Sequence, residues 1–300
     1  MLTPGEQTAP ADASEALARL EAAIAPLGSV LVAFSAGVDS SVVLAVARRV
    51  LGRRAEGLIG VSASVPAEEV EQARRLVALL DVHLNVRDSH ELDNADYVAN
   101  APDRCFHCKS GLYALCLRVA AERGLRCLAN GTNADDVGDW RPGLIAAREA
   151  EVHSPLLLCG LGKAQVRAVA ARLGLPNADK PAQPCLASRL PYGTAVTRER
   201  LAAVATVERH LRARGFREVR ARHHGARVRL EVEPRHLAEL HAEAVAGEGS
   251  ALLAVVRAAG FTDFEIQADG FRSGRLNDAL RVADAGAATP SAAPGDLHAR

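Results

Sequence analysis

The sequence predicts an α/β protein in which a doubly wound parallel sheet is followed by a smaller carboxyl-terminal α+β domain. Up to about residue 195, short apolar segments alternate with segments of helical periodicity, as in the βαβ units of parallel sheets. Further on, two segments of alternating polarity meet at His224-Gly225, the pattern of an antiparallel hairpin. We expect disorder at 1–13 and 284–300, the main domain at 14–195 and the smaller domain at 196–283.

The main domain is predicted to contain four strands, each a short apolar run. They are SVLVAF (29–34), GLIGVSA (57–63), HLNVR (83–87) and RCLANG (126–131). The segments between them show helical spacing, and one of these segments starts with Pro66 while another ends with Gly124, as helices often do. The helices of this domain are expected at 40–50, 66–80, 110–124, 143–150 and 162–176.

The smaller domain is predicted to combine helices with a short sheet. Its helices are expected at 197–215, 234–245 and 250–260. Its strands are expected at 217–224, 226–232 and 263–267.

Composition argues against several classes of protein. The 36 basic and 36 acidic side chains give no net charge, which is unlike a protein that coats nucleic acid. No segment reaches the ~18 apolar residues of a membrane span, and the first residues lack the pattern of a signal peptide. We therefore expect a cytoplasmic protein with neither nucleic-acid nor membrane partners. Its six cysteines should be reduced there, so a close pair indicates metal binding or catalysis before a disulfide.

The segment SAGVDSS (35–41) joins the first predicted strand to the first predicted helix. Ligands of open parallel sheets bind beyond the carboxyl ends of the strands. The small Ala36 and Gly37 allow a ligand close to the backbone, and serine hydroxyls with helix N–H groups favour an anion. The turn is therefore predicted to hold phosphate, although an ordinary capped turn also fits. It matches neither the Walker loop nor the dinucleotide-binding fingerprint.

A second polar stretch follows the fourth strand, at the same edge of the predicted sheet. It contains Asn133, Asp135, Asp136, Asp139 and Arg141. Carboxylates there, or Asp39 in the loop, could hold Mg²⁺ that bridges phosphates, and the arginine could neutralise charge. The alternative is a polar loop that caps the next helix. Lys163 could reach a phosphate or be solvated, and the role of Lys180 is open.

Three cysteines lie in segments that suggest chemistry. Cys105 and Cys108 form C-x-x-C ahead of a predicted helix, a spacing that can share one metal or cluster but can also be redox-active or incidental. Cys185 lies in a proline-rich segment near Ser188 and Arg189, where a reactive thiolate is plausible. The other three, Cys116, Cys127 and Cys159, are expected in the core.

Several motifs together carry a family resemblance. The loop at 35–41 resembles S-G-G-x-D-S, the pyrophosphate-binding loop (PP-loop) of ATP pyrophosphatases, with Ala36 in place of the first glycine. The segments at 103–109, 130–156 and 180–197 resemble the LarE family, ATP-dependent sulfurtransferases that act on pyridinium-3,5-biscarboxylic acid mononucleotide. The resemblance runs from about residue 16 to 280. It implies an adenine nucleotide α-hydrolase-like fold and a homo-oligomer.

The resemblance also implies ligands for individual residues. ATP would be bound by Ser35, Ala36, Gly37, Val38, Asp39, Ser40, Ser41, Gly131, Asn133 and Lys163. Mg²⁺ would be held by Asp39 and Asp135, and the catalytic residues would be Cys185, Asp39 and Arg189.

Cationic residues of the smaller domain are candidates for binding an anionic substrate. Arg220 and Arg222 lie on the predicted hairpin, beside His224 and Arg227, where an exposed charge-rich strand pair is the alternative reading. Arg272 lies in GFRSGRLN (270–277), which resembles a carboxyl-terminal motif of the family. The full set of predicted substrate residues is Ser188, Arg189, Arg220, Arg222 and Arg272.

Within this family the resemblance implies two sources of sulfur. In one, the cysteine that matches Cys185 gives up its own sulfur and becomes dehydroalanine. In the other, Cys105, Cys108 and Cys185 hold a 4Fe–4S cluster whose open iron carries an extra sulfide. We expect the cluster route, because three cysteines leave one iron free.

The expected function is ATP-dependent sulfur insertion in the biosynthesis of a nickel-pincer nucleotide cofactor. A tRNA thiolase of the same superfamily is an alternative, but no basic RNA-binding domain or zinc-finger cysteines are visible. An amidase-type synthetase would need an ammonia source, and the sequence shows no glutaminase domain. A non-catalytic nucleotide-binding module would account for the loop but not for Cys185 in its motif.

Overall fold

The structure is a computed structural model that describes residues 13–137 and 142–272. In the main domain, four parallel strands form one sheet in the order β3-β2-β1-β4. These strands are β1 Val30–Ala33, β2 Ala55–Val61, β3 His83–Asp88 and β4 Cys127–Ala129. The helices are α1 Ala13–Ile24, α2 Val38–Leu51, α3 Ala67–Leu80, α4 Ala95–Ala99, α5 Arg104–Arg123, α6 Pro142–Glu149, α7 Pro155–Leu158 and α8 Lys163–Arg172.

Helices cover both faces of this sheet. Helices α1, α2, α3 and α8 pack on one face, where Val32 is buried, and α5 packs on the other, where Leu31 is buried. Neighbouring residues of β1 are therefore buried on opposite faces, which explains why the strand reads as a continuous apolar run. The predicted doubly wound parallel sheet is confirmed.

The strand order predicts a ligand crevice between β1 and β4. From β1 the chain proceeds to β2 and β3 on one side, whereas β4 pairs with the other side of β1. Such a reversal is where open α/β sheets bind ligands, because the loops after the two strands diverge. The loops after β1 and β4 are the two segments for which phosphate and magnesium ligands are predicted.

The smaller domain contains a three-stranded sheet packed against helices. Its strands are β5 Val219–His224, β6 Arg227–Val232 and β7 Asp263–Ile266, and its helices are α9 Arg198–Ala213, α10 Leu237–Ala246 and α11 Ala251–Ala258. Strands β5 and β6 are antiparallel, and β7 runs parallel to β6. Gly225 has a φ of +63° in the connecting turn, a conformation that favours glycine. The predicted α+β architecture is confirmed, while the exact domain boundaries stay predictions.

Some elements differ from the sequence-based expectation. Helix α5 begins at Arg104, so Cys105 and Cys108 lie inside the helix and not ahead of it. Helices α1, α4 and α7 were not expected from the periodicity. Asp139 and Arg141 lie outside the described residues, as do 1–12 and 273–300. Among the described helices, none is long and apolar enough to cross a membrane.

Candidate functional site

The loop at 35–41 closes on itself through its serine side chains. The Ser40 hydroxyl lies 3.2 Å from the Ser35 hydroxyl and donates to the carbonyl of Gly37 at 3.1 Å. Ser41 donates to the same carbonyl at 2.7 Å. Val38 begins helix α2, so this turn leads directly to the open N–H groups of a helix start. That arrangement suits an anion such as a phosphate.

A segment distant in sequence anchors this loop. Asn177 donates to the Ala36 carbonyl at 3.1 Å and to the Ser41 hydroxyl at 2.9 Å. Lys180 donates to the same carbonyl at 3.3 Å and forms an ion pair with Glu69 at 2.5 Å. Neither residue belongs to a recognisable phosphate-binding pattern, so the sequence leaves the role of Lys180 open and gives no signal for Asn177.

Ala36 adopts a backbone conformation that favours glycine. Its φ is +56°, in the left-handed region, and the residue is fully buried. The PP-loop pattern has glycine at this position, so the structure gives a local reason for that preference. The alanine is tolerated here with the carbonyl held by Asn177 and Lys180.

Gly131 brings the loop after β4 against the loop after β1. A Cβ atom at this position would lie 2.5 Å from the backbone nitrogen of Ser40 and 2.9 Å from the carbonyl carbon of Asp39. Backbone atoms cannot move aside as a flexible side chain can. Glycine at 131 therefore allows the two loops to meet at the predicted crevice.

Replacing Gly131 by alanine is expected to disturb both stability and nucleotide binding. The forced shift should cost about 1–3 kcal/mol of unfolding free energy, as overpacking typically does, and should weaken ATP binding. Thermal unfolding and ATP calorimetry measure the two effects. Gly111→Ala is the matched control, since nothing lies within 4 Å of its added Cβ on α5. Unchanged ATP affinity in Gly131→Ala would contradict the close approach.

Asp39, the charged residue of this loop, has a carboxylate oxygen that lacks a hydrogen-bond partner within the described residues. In the described part of the chain, its Oδ1 atom is buried without a hydrogen-bond partner, and so is the amide nitrogen of Asn133. Burial raises the pKa of the Asp39 carboxyl, and the nearby Asp136 raises it further, whereas Asn133 and Lys163 oppose the shift. Two neighbouring carboxylates beside a predicted phosphate-binding turn suit a divalent cation, which prefers oxygen ligands.

The predicted magnesium partner Asp135 has another role in the structure. Its carboxylate accepts a 2.7 Å hydrogen bond from the backbone nitrogen of Lys163, at the start of α8. The same carboxylate lies close to Gly162, where an added Cβ atom would be 2.8 Å from Asp135 Oδ1. Asp136, which sequence analysis considered but did not select for magnesium, is the carboxylate that influences Asp39.

The three predicted cysteines share one region. Cys105 is exposed on α5, while Cys108 and Cys185 are partly buried. Burial raises the pKa of the Cys185 thiol, Arg104 opposes that shift, and Cys105 adds to it. Cys185 in turn contributes to the raised pKa of Cys108, after burial and Glu91. Cys108 and Cys185 pack against the same apolar cluster, and Arg104 contacts both the Cys105 sulfur, at 4.0 Å, and the Ala187 carbonyl, at 2.9 Å.

Thiolates are the ligands that iron–sulfur clusters take, so these residue types fit a cluster. Within residues 13–137 and 142–272, however, no three Cys, His, Asp or Glu side chains are arranged as a metal centre. Ligation would therefore require the three sulfur atoms to move closer together.

The Cys185 segment is held by arginines through its backbone carbonyls. Arg189 donates to the carbonyl of Pro184 at 2.8 Å and to that of Cys185 at 3.3 Å. Arg220 and Arg222 on β5 donate to the carbonyls of Ala182 at 2.7 Å and Ser188 at 2.9 Å. From the main domain, Arg104 donates to the carbonyl of Ala187 at 2.9 Å. We call residues 182–189 the cysteine segment.

These contacts give three of the predicted site arginines partners inside the protein. Arg189 is fully buried and forms an ion pair with the fully buried Glu208, at 2.7 and 3.0 Å. Arg222 pairs with buried Glu231 at 3.0 Å, and burial, then Arg189, lowers the pKa of Arg220 to about 10. Arg189, Arg220 and Arg222 therefore hold the cysteine segment through its carbonyls, and their predicted catalytic and substrate roles stay predictions.

The other substrate candidates are less constrained. The Ser188 hydroxyl accepts a 2.9 Å hydrogen bond from Arg189 and is partly exposed. Arg272 is exposed at the end of the described chain, next to Phe271, whose ring lies under the Arg220 guanidinium. Substrate contacts of Ser188 and Arg272 stay predictions.

Three further residues beside the cysteines were not found from the sequence. Arg104 is buried against Asn100 and lies near Cys105 and Cys185. Glu91 accepts a hydrogen bond from the Cys108 thiol at 2.9 Å, and Tyr97 is buried nearby. The sequence indicates these residues only by their position, between the end of the third strand and the C-x-x-C pair.

Known proteins resemble this chain over most of its length. An uncharacterised protein of Synechocystis sp. is 37% identical over 254 residues, which cover 85% of this chain and 94% of that protein. The pyridinium-3,5-bisthiocarboxylic acid mononucleotide synthase of Lactiplantibacillus plantarum is 34% identical over 267 residues, covering 89% of this chain and 95% of the synthase. The chain belongs to the LarE family.

A third relative is similar over a shorter part of the chain. An uncharacterised protein of Methanocaldococcus jannaschii is 26% identical over a shorter stretch of 136 residues, 45% of this chain and 53% of that protein. No family model matches the sequence. The LarE relationship therefore depends on the long pairwise similarities.

Proposed function

We propose that this LarE-family protein is an ATP-dependent sulfurtransferase that converts a carboxylate of pyridinium-3,5-biscarboxylic acid mononucleotide into a thiocarboxylate. One observation carries the proposal: a single stretch, residues 177–189, contacts both parts of the site. Its first residues, Asn177 and Lys180, hold the Ala36 carbonyl of the PP-loop. Its last residues contain Cys185 and are held by arginines. The nucleotide loop and the cysteine are thus linked by a short, well-anchored connection.

The proposed reaction begins with activation of a carboxylate. A carboxylate oxygen attacks the α-phosphorus of ATP, and pyrophosphate leaves. The loop at 35–41 and the start of α2 would hold the phosphates through N–H groups. Asp39 would bind Mg²⁺ beside Asp136, and bound Mg²⁺ would neutralise charge on the leaving pyrophosphate. A sulfur nucleophile then attacks the acyl carbon, and AMP leaves with the pair of electrons from the broken C–O bond.

The proposal also concerns the source of the transferred sulfur. Cys105, Cys108 and Cys185 would hold a 4Fe–4S cluster, which when bound supplies a transferable sulfide. The shared region of the three thiols supports this route. The alternative is that Cys185 donates its own sulfur, a route that needs neither Cys105 nor Cys108. The synthase from L. plantarum is named for a bisthiocarboxylic acid product, which supports the substrate class under either route.

Counting sulfur per chain separates the two routes. The protein is reconstituted anaerobically with iron and sulfide, then given ATP, Mg²⁺, the biscarboxylated mononucleotide and excess sulfide. We expect several thiocarboxylates per chain, AMP with pyrophosphate, and an unchanged mass at Cys185. A sacrificial cysteine can act only once, so product would stop at one sulfur per chain.

Two variants complete this experiment. Cys105→Ser is expected to stop turnover, because two cysteines hold such a cluster poorly. Cys116→Ser is the control on the same helix, since Cys116 is a buried core residue. A single turnover that leaves Cys185 lighter by the mass of H₂S would replace the cluster route with the sacrificial one. Formation of ADP would contradict the adenylylation step.

A further inference from the structure

Arg104 is a buried cation for which the described chain supplies no carboxylate partner. The residue begins helix α5 and is 3% exposed. In the part of the chain that the structure describes, no carboxylate forms an ion pair with its guanidinium. By contrast, the buried Arg189 is neutralised by Glu208. Burying a charge without an opposite charge costs free energy, so the exception at Arg104 requires a physical reason.

Hydrogen bonds hold the Arg104 guanidinium in place. One terminal nitrogen, Nη1, donates to the side-chain oxygen of Asn100 and, at 2.9 Å, to the carbonyl of Ala187. Asn100 is itself fully buried, and its amide donates to the carbonyls of Pro191 and Thr194, both at 2.8 Å. The cation is therefore fixed between α5 and the chain that leads out of the cysteine segment.

The other terminal nitrogen of Arg104, Nη2, faces the Cys105 thiol. Its hydrogen-bond partner among the described residues is the Cys105 sulfur, at 4.0 Å. A neutral thiol is a weak acceptor and does not balance a positive charge. Cys105 is exposed, so a ligand can approach this sulfur from solvent. Nη2 is thus a strong donor with a weak partner at an accessible edge of the site.

A carboxylate has the chemistry that this position lacks. It carries a negative charge, and its oxygens accept the N–H groups of an arginine in short, strong hydrogen bonds. The substrate of the proposed reaction has two carboxylates, and the one that reacts must lie near the sulfur that attacks it. Arg104 contacts Cys105 and also Ala187, two residues after Cys185. A carboxylate bound there would be near a cysteine under either source of sulfur.

We propose that Arg104 binds a carboxylate of the substrate and holds it beside Cys105. This inference rests on the proposed function, which supplies the substrate class. The interaction is an ion pair with hydrogen bonds from Nη2, and Arg104 takes part in no covalent step. Arg104 is therefore a substrate-binding residue, held in position by Asn100.

Two ligands and one substitution test this role. The ligands are pyridinium-3,5-biscarboxylic acid mononucleotide and its bisamide analogue, in which neutral amides replace both carboxylates. Their affinities for the full-length protein are measured by calorimetry with saturating α,β-methylene-ATP, which cannot be cleaved to AMP and pyrophosphate. We expect the wild type to prefer the biscarboxylate, and Arg104→Gln to lose at least about 10-fold of that preference, since charge-assisted hydrogen bonds are the stronger kind.

Arg118→Gln is the matched control, since Arg118 is an exposed arginine of the same helix. It changes the net charge of the protein by the same amount, and its preference for the biscarboxylate should equal that of the wild type. If Arg104→Gln weakens the binding of both ligands alike, Arg104 has only a structural role and the inference is wrong.

A second measurement uses the wild type and does not depend on the folding of Arg104→Gln. A carboxylate held beside Cys105 should shield its sulfur. Saturating biscarboxylated mononucleotide is therefore expected to slow the alkylation of Cys105 by iodoacetamide at least about 10-fold, since thiol reactivity depends on access. Cys159, a partly exposed thiol that packs against a different apolar cluster, is the internal control. Unchanged alkylation of Cys105 at saturation would overturn the inference.

The outcomes distinguish failure of this inference from failure of the proposed function. If the wild type prefers the biscarboxylated mononucleotide and Arg104→Gln keeps that preference, the inference is wrong and the proposed function stands. If the wild type does not prefer the biscarboxylate to the bisamide, the proposed substrate class is wrong and the inference fails with it.

Discussion

Asp39→Asn is expected to reduce pyrophosphate formation by about 10²–10³-fold, the usual effect of losing one electrostatic contact to a developing charge. The substitution keeps the shape of the side chain and removes its negative charge. Asp39 has one buried carboxylate oxygen without a partner in the described residues, and burial and Asp136 raise its pKa. Such a carboxylate decreases the stability of the free protein and becomes favourable when a cation binds.

Asp39→Asn is therefore expected to change the stability and the activity of the protein in opposite directions. Asp39→Asn should have the same or a higher Tm than the wild type, because repulsion from Asp136 is removed. Asp81→Asn is the control. Asp81 follows α3, away from this loop, and its carboxylate pairs with Arg48 at a distance of 2.6 Å. Pyrophosphate release from ATP is measured for all three proteins at saturating Mg²⁺. Wild-type rates in Asp39→Asn would show that Asp39 does not bind the metal.

Local chemistry explains what could be predicted from the sequence. The run VLVA at β1 is apolar on both faces of a parallel sheet, and Ser35, Gly37 and Ser41 form a turn whose polar groups are close in sequence. Such features depend on neighbours along the chain. The fold class and the placement of the loop after β1 therefore followed from the sequence directly.

The partners of the three arginines near Cys185 could not be predicted in the same way. In the sequence, Arg189, Arg220 and Arg222 are cations near a reactive cysteine. Arg189 pairs with Glu208 on α9 and Arg222 pairs with Glu231 on β6, and both carboxylates are fully buried. Arg220 donates to the backbone carbonyls of Val219 and Ala182. Which charges are neutralised inside a domain depends on contacts between distant segments, so spacing alone does not separate a substrate-binding arginine from a structural one.

The same limit applies to Tyr97 and Asn177. A tyrosine and an asparagine are common residues, and neither belongs to a motif that indicates chemistry. Asn177 becomes important because helix α8 and the following turn return the chain to the Ala36 carbonyl. Tyr97 lies beside the cysteine segment because it packs in one apolar cluster with Leu186, Ala187 and Leu190.

Arg189→Met is expected to destabilise the protein by about 3–5 kcal/mol, the usual cost of removing one partner from a buried ion pair. Both Arg189 and Glu208 are fully buried, and the guanidinium makes two hydrogen bonds to the carboxylate. Without it, the hydrogen-bond partners of Glu208 among the described residues are the partly exposed Arg212 and the backbone nitrogen of Ala221. Urea unfolding of the variant and the wild type measures the difference.

The pH dependence of this difference has a definite sign. Burial alone would raise the pKa of Glu208, but Arg189 and Arg212 more than offset it and hold the pKa below its usual value. The stabilisation from the pair is therefore present at neutral pH and is lost as the pH falls through the lowered pKa. The free-energy gap between wild type and Arg189→Met should shrink in acid.

An exposed pair in the same domain provides the control. Arg257 and Glu248 also form two hydrogen bonds, at 2.5 and 2.8 Å, but both side chains are largely exposed. Arg257→Met should cost only about 0–1 kcal/mol. Arg189→Met should also free the carbonyls of Pro184 and Cys185, so the Cys185 thiol should react faster with iodoacetamide than in Arg257→Met. Equal stability and equal thiol reactivity in the two variants would show that Arg189 does not hold the cysteine segment.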